Sequence, residues 1–395
     1  AIVTNEDSII NKNIPILQVQ DPRMAMSNIS AKFYGNPSCK MNVVGVTGTN
    51  GKTSITHIIH HILQKNNISC GTLGTLGFQS PSGIVSTGFT TPESIELQQM
   101  LNTLLAGNVK NVIMEISSHA LNLHRVDDID VNIAIFSNLS PEHLDFHGNM
   151  DSYFNEKLKL FTRLKNKDTA ILNNDDPYSL EIYKKTKANI ITYGMDSNAD
   201  LHAINTTCSL DGTQCELKYQ NNQILLNTNL VGKYNLYNIM AGIATCISMN
   251  INIDDINKAL QCRLNIPGRM ELIPCNIPGK VFIDYAHTPD ACEKIFSTLS
   301  LLSTDKINIH TIFGCGGDRD HYKRPLIAEV IENYSDRITI TTDNPRTESV
   351  DQINADIISG FKGDGYEIIL DRKEAIYSAM DRMINKSILL VIGKG

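Results

Sequence analysis

No two of the nine cysteines stand in a CxxC pair; they are scattered singly at positions 39, 70, 208, 215, 246, 262, 275, 292 and 315. That spacing argues against a zinc knuckle and against a disulfide framework, and a reducing cytoplasm fits it best. Long apolar runs are missing too. Stretches such as "ILLVIG" at 388–393 are far too short to span a bilayer, and no basic segment followed by an apolar one opens the chain, so membrane insertion is not expected. Nor is there an excess of positive charge. A formal charge of −7 disfavours a protein that coats nucleic acid, while leaving room for a local basic pocket that takes a small anion. Internal repeats and low-complexity segments are also absent.

The 395 residues, 42% of them apolar and only 19% charged, describe a globular chain too long for one compact core. It opens "AIVTNEDSII" without methionine and stops at "SILLVIGKG", a strand and a glycine turn with no helix after it, which reads as a fragment. Short β-branched runs alternate with amphipathic helical patterns, the signature of parallel βαβ units. From 43 to about 265 the expected strands include "NVVGVTG", "NVIMEIS", "VNIAIFSNL" and "TAILNN". Residues 198–231 instead alternate polar and apolar side chains around "DGT" and "NN", and read as antiparallel hairpins appended to that sheet. Proline and glycine in "IPGRMELI" (266–273) mark a hinge. Beyond it "KVFIDYAH", "INIHTIFGCGG", "RITITTDNPR", "YEIILD" and "ILLVIGKG" restart the pattern as a second, Rossmann-like doubly wound sheet. The fold class is therefore α/β.

"VVGVTGTNGKTSITHIIHHIL" (43–63) gives a strand, a glycine-rich turn, Lys-Thr and a helix in that order. Glycines there let backbone N–H groups turn toward an anion, and the helix N-terminus adds its partial positive charge. Gly48, Thr49, Asn50, Gly51, Lys52, Thr53 and Ser54 form the candidate phosphate loop, with Lys52 reaching the β/γ-phosphates and Thr53 ligating magnesium. The strict pattern asks for a glycine where this chain has Val46.

"TNGKT" with this spacing is joined by further segments in a fixed order: "FTTPES" (89–94), "MEISSHAL" (114–121), "NLSPEHLDFHGNMDSYFNEKLKLF" (138–161), "GKYNLYNIMAGIA" (232–244), "PGRMELI", "DYAHTPDA" (284–291), "FGCGGDRDHYKRP" (313–325) and "DNPRTE" (343–348). Together they resemble the Mur ligases, the ATP-dependent amide-forming enzymes of peptidoglycan assembly, and in particular the branch that adds the third amino acid. The resemblance covers nearly the whole chain. It implies a remnant of an N-terminal UDP-binding domain with its linker at 1–42, a central ATP-binding domain at 43–266, and an incomplete C-terminal ligase domain at 267–395. It also implies a cytoplasmic monomer that uses ATP and magnesium to add meso-diaminopimelate to UDP-N-acetylmuramoyl-L-alanyl-D-glutamate through an acyl phosphate.

The resemblance assigns residues as well. Glu115 ligates magnesium with Thr53, and His143 helps hold a second ion. Lys157, fourteen residues after His143, corresponds to the lysine that carbon dioxide carbamylates, turning a cation into an anionic oxygen ligand; Lys159 is the competing position, and the spacing favours Lys157. Thr90, Thr91, Ser117 and Arg125 are implied contacts of the nucleotide-sugar substrate, although the family's glutamine two residues before that arginine is Leu123 here. Asn235 and Asn238 resemble residues facing adenine, and Arg269 and Asp284 look like parts of the ATP site. His287 either serves there or caps a turn.

The acceptor is read from "DNPR", Asp343, Asn344, Pro345 and Arg346, which resembles the signature of enzymes adding meso-diaminopimelate. The second carboxylate of that amino acid needs a cation that a site built for lysine does not supply. Arg319 and Gly393 are further acceptor contacts by the same resemblance, while the segment resembling "GKGHE" stops at Gly393, Lys394 and Gly395. A lysine-adding relative, or a nucleotide-binding scaffold inactive through truncation, are the competing readings.

Overall fold

The computed structural model describes residues 2–5, 14–302 and 307–393, so Lys394 and Gly395 of the terminal "GKG" lie outside the described residues. The chain divides into two units, residues 1–207, 214–228 and 233–264 in the first and 208–213, 229–232 and 265–395 in the second.

An 11-stranded sheet dominates the first unit. Across it the strands run Asn222–Thr228, Gly212–Tyr219, Leu201–Ser209, Asn189–Gly194, Thr169–Asn173, Ile133–Phe136, Asn42–Thr47, Asn111–Glu115, Cys70–Gly74, Gly77–Ser80 and Gly83–Val85. The strand Asn42–Thr47 pairs in parallel with Asn111–Glu115 on one side and Ile133–Phe136 on the other. Its apolar residues are buried, because helices cover both faces of a parallel sheet and leave no polar side. The helix Lys52–Lys65 follows directly and buries Ile55, Ile58, Ile59, Ile62 and Leu63, spaced to share one stripe, with the helix Lys233–Ser248 among its neighbours. Loops at the carboxyl ends of such strands, where the chain leaves in opposite directions, are where α/β sheets bind ligands.

The three strands between 201 and 228 follow one another with two-residue connections, a spacing that only antiparallel neighbours allow, so the appended hairpins are found. They join the parallel part through a short parallel pairing, Tyr193↔Leu201 and Gly194↔His202. The strands Cys70–Gly74, Gly77–Ser80 and Gly83–Val85 were not anticipated: glycine in each hides the alternation, and the last is fully exposed.

The second unit carries a 6-stranded sheet in the order Glu271–Ile273, Lys280–Asp284, Ser387–Ile392, Asn308–Phe313, Arg337–Ile340, Tyr366–Ile368. Its first pair is antiparallel and the rest are parallel. Alternate residues of Ser387–Ile392 enter two different cores. Ile388, Leu390 and Ile392 pack with Phe282, Phe296 and Phe313, while Leu389 and Val391 pack with Ile312, Ala375 and Ala379. That double burial explains why "SILLVI" reads as a continuous apolar run. Among the described residues, no helix is long and apolar enough to cross a membrane.

Leu390 is completely buried. Leu390→Ala is expected to cost the second unit about 2–5 kcal/mol by loss of transfer energy and the cavity left behind, read as a lower urea midpoint at unchanged slope.

Candidate active site

The phosphate loop folds because Gly51 sits at φ +89° as the N-cap of the helix Lys52–Lys65, and a Cβ there would lie 2.4 Å from Asn238 Oδ1. A side chain at 51 therefore fails on both counts, backbone and space. The loop is tied to the next strand end: Thr49 N donates to Asn138 O (2.8 Å), Asn50 N to Asn138 Oδ1 (3.0 Å), and Ser137 Oγ to Asn50 O (2.6 Å). Thr49, Thr53 and Ser54 are buried and Asn50 is exposed. Asn238 Nδ2 donates to Asn235 Oδ1 at 3.3 Å, so the two asparagines expected at adenine stand together against this loop.

Two lysines converge on one carbonyl. Lys52 Nζ donates to Gly48 O (2.9 Å) and Thr49 O (2.8 Å), and Lys157 Nζ donates to the same Gly48 O (3.0 Å). Lys157 is only 1% exposed and its amine lies 4.4 Å from the centre of the Tyr153 ring. Burial pushes its pKa well below the ordinary lysine value, and the charge of Lys52 acts in the same direction. Lys159, the competing position, pairs instead with Glu156 and is partly exposed.

Glu115 ends the strand Asn111–Glu115 and is buried, yet no cationic side chain pairs with it among the described residues. Its carboxylate is held by neutral donors: Thr53 Oγ1 (3.1 Å), Thr75 N (2.9 Å) and Thr75 Oγ1 (3.1 Å). A buried carboxylate next to a hydroxyl on the first turn after a phosphate loop suits a hard cation with oxygen ligands, which is what magnesium requires. His143 lies elsewhere, half-exposed at φ +55°, with its ring 6.4 Å from that of Tyr153 and 4.7 Å from that of His119. The expected metal ligands thus fall into two places, Thr53 with Glu115, and His143 and Lys157 each near the Tyr153 ring. Among the described residues no group of three or more His, Cys, Asp and Glu side chains is arranged to hold a metal.

Thr90, Thr91, Ser117 and Arg125 are brought together. Thr91 Oγ1 donates to Glu115 O (2.9 Å) and accepts from Ser117 N (3.1 Å), while Arg125 Nη1 donates to Thr91 O (2.9 Å). Thr90 Oγ1 lies 3.2 Å from Thr75 Oγ1, which links it to the Glu115 carboxylate. Arg125 also forms an ion pair with Glu93 at 2.7 Å, so its guanidinium has an anionic partner within the protein.

In the second unit Asp284 is buried and accepts from Met270 N (2.7 Å) and Ala286 N (2.8 Å); burial raises its pKa and those hydrogen bonds oppose the rise. Arg269 lies over the Tyr285 ring at 5.4 Å, and His287 Nδ1 is 2.9 Å from Tyr285 O. A cavity of about 420 Å³ is lined by His287, Arg319, Asp343, Asn344, Arg346 and Gly393 among others. Asn344 N donates to Asp343 Oδ1 (2.6 Å), and Arg346, at φ +51°, donates from its guanidinium to Gly317 O. Glu348 N donates to Pro345 O (3.0 Å), closing a turn with Arg346 and Thr347 at its centre.

A model of the Mur ligase middle domain matches residues 46–246, and one of the Mur ligase glutamate ligase domain matches residues 268–395. The chain belongs to the Mur ligase family. It is 38% identical to the UDP-N-acetylmuramoyl-L-alanyl-D-glutamate–2,6-diaminopimelate ligase of Halalkalibacterium halodurans over all of this chain and 82% of that protein. It is 39% identical to the ligase of the same name from Aquifex aeolicus over 98% of this chain and 79% of that one. A solved structure of a UDP-N-acetylmuramoyl-L-alanyl-D-glutamate–2,6-diaminopimelate ligase superposes with a TM-score of 0.72 at 29% identity, covering all of this chain and 81% of that one. The Mycobacterium tuberculosis folylpolyglutamate synthase complexed with ADP and AMPPCP shares the fold at 16% identity, with a TM-score of 0.75 over 95% of this chain and 93% of its own.

Several residues that shape this Mur ligase site escaped the sequence reading. Thr75 and Glu93 act through partners far along the chain, Glu115 and Arg125, and no local motif marks those pairings. Tyr153 contacts the phosphate loop through Thr49 Oγ1 (3.2 Å), and burial raises its phenol to about 12. His119 and His147 join His143 in a ring cluster, where burial first and the neighbouring histidines next lower His119 to about 4.

Lys157 gives a pH signature. Its folded pKa lies below its unfolded value, so between the two the unfolded state binds more protons and stability rises with pH. Lys157→Met is expected to flatten that rise and to raise the thermal midpoint at neutral pH, measured by calorimetry across the window.

Proposed function

We propose that this Mur ligase joins meso-diaminopimelate to UDP-N-acetylmuramoyl-L-alanyl-D-glutamate in the cytoplasm, with cleavage of ATP and through an acyl phosphate. The observation that carries the reading is the cavity of the second unit, where Arg319 and Arg346 stand with Asp343 and Asn344 in a space suited to a zwitterion with more than one carboxylate. The names of the relatives support it.

A carboxylate does not react with an amine until its oxygen becomes a leaving group. ATP supplies the phosphoryl group that makes it one, and magnesium, when bound, screens the charges brought together. Lys52 leaves the carbonyls of Gly48 and Thr49 to meet the phosphates, and the loop N–H groups orient them. Thr53 and Glu115 would hold one magnesium ion, and His143 with a carbamylated Lys157 would hold the second. The buried amine of Lys157 is suited to carbamylation, because the neutral form carries the lone pair that attacks carbon dioxide. The N–C bond forms, a proton leaves, and an anionic carbamate replaces the amine. Thr90, Thr91, Ser117 and Arg125 position the nucleotide-sugar dipeptide, Arg125 exchanging its internal partner Glu93 for the substrate. Asn235 and Asn238 face adenine, and Arg269 and Asp284 are further residues for ATP. Asp343 takes an ammonium group of the acceptor, and Arg346 takes the carboxylate that lysine lacks.

Phosphate release from ATP in the presence of the UDP-muramoyl dipeptide is expected with meso-diaminopimelate and not with L-lysine. Arg346→Ala is expected to raise KM for meso-diaminopimelate by about tenfold to a hundredfold, the loss of one hydrogen bond to a charged group. Turnover with lysine alone would sink the acceptor assignment while sparing the ligase. Turnover is expected to fall when carbon dioxide is removed and to return with bicarbonate. Carbon-13 bicarbonate should label one carbamate carbon in the wild type and none in Lys157→Met.

A further inference from the structure

The cavity of the second unit carries a cation that none of these assignments uses. Lys323, the first residue of the helix Lys323–Tyr334, is half-buried and lines the cavity beside Arg319 and Arg346. Its amine has no carboxylate partner among the described residues. Arg324, next in the chain, takes the acids that stand nearby. Fully buried, it pairs through Nη1 with Glu348 (2.6 Å) and Asp356 (2.8 Å), and through Nη2 with the other Glu348 oxygen (2.7 Å) and Gly316 O (3.1 Å). Glu348 also accepts from Asp318 N at 3.0 Å. Those acids are spent on holding the loops, and Asp343 is left as the one carboxylate in the cavity lining, facing three cations.

The surroundings of Lys323 are rigid. Gly317 N donates to Asn344 O (2.9 Å), and a Cβ at Gly317 would lie 1.9 Å from Pro345 O, so the loops before Lys323 and around Arg346 touch backbone to backbone. Burial holds the Lys323 amine below its ordinary pKa; Cys315 and Asp320 oppose that, and Arg319 and Arg324 reinforce it. A partly desolvated cation without a partner costs free energy until an anion reaches it.

We propose that Lys323 is a further ligand of the amino-acid acceptor, binding one of its carboxylates together with Arg319 and leaving Arg346 for the other. The inference rests on the acceptor reading above: a zwitterion with two carboxylates and an ammonium toward Asp343 gives every charged group of this lining an opposite partner, whereas one carboxylate does not.

The test uses the full chain with its lysines reductively methylated with carbon-13, the Lys323 signal being the one lost in Lys323→Met. Addition of meso-diaminopimelate, or of pimelate, which has the two carboxylates and no ammonium, is expected to shift that signal and raise its titration midpoint. In turnover, Lys323→Met is expected to raise KM for meso-diaminopimelate about tenfold with KM for ATP unchanged, and Lys323→Arg to restore most of it, as a charge-assisted contact requires. A signal indifferent to both dicarboxylates, or one that answers only inorganic phosphate, would overturn the proposal, as would equal KM values for the methionine variant and wild type. If wild type uses lysine and not meso-diaminopimelate while the signal still follows pimelate, the diaminopimelate reading falls and Lys323 stands as a carboxylate ligand.

Discussion

Lys52 and Lys157 donate to the same carbonyl, that of Gly48, at 2.9 and 3.0 Å. Two full positive charges that close, one of them out of water, repel strongly, and Glu142 only partly offsets this at Lys157. Burial and that repulsion together push the pKa of the deeper amine down. Much of the phosphate site follows from that crowding. Both amines brace one peptide unit of the loop, and the Tyr153 ring lies against the buried nitrogen of Lys157.

Glu115 shows the opposite economy. Its carboxylate is buried among hydroxyl and amide donors with no positive side chain, so the protein holds a negative charge in place by hydrogen bonds alone. Such an arrangement tolerates the charge without neutralising it. Thr75 is central because it contributes both its amide and its hydroxyl, and it reaches Thr90 by the same oxygen.

Much of this was legible in the sequence wherever the relevant residues are contiguous. The phosphate loop is a local object: strand, turn and helix follow one another, and Gly51, Lys52 and Thr53 declare it. The two parallel sheets announced themselves through strands such as "NVIME" and "SILLVI" whose apolar runs reflect burial on both faces. The strands from Cys70 to Val85 were hidden by their glycines. Long-range ties were equally silent, since nothing near Arg125 marks Glu93, and nothing near Glu115 marks Thr75. Arg324 is the sharpest case: in "HYKRP" it looks like a solvated charge, yet it is completely buried with two acids found 24 and 32 residues away. Spacing within a motif shows which side chains share a loop, but not which of them the fold turns inward.

The second unit's sheet has an unusual order of assembly. Its strand Ser387–Ile392 lies between Lys280–Asp284 and Asn308–Phe313, although it follows every other strand of that sheet in sequence. Lys280–Asp284 and Asn308–Phe313 therefore have no direct pairing with each other, and one edge of each waits for a segment that comes later in the chain. On a ribosome, each could pair with its other neighbour, but the two halves of the sheet would stay unjoined until that segment left the exit tunnel. Such distant pairing makes for slow folding with open strand edges in the interval, the period in which a chaperone has most to shield.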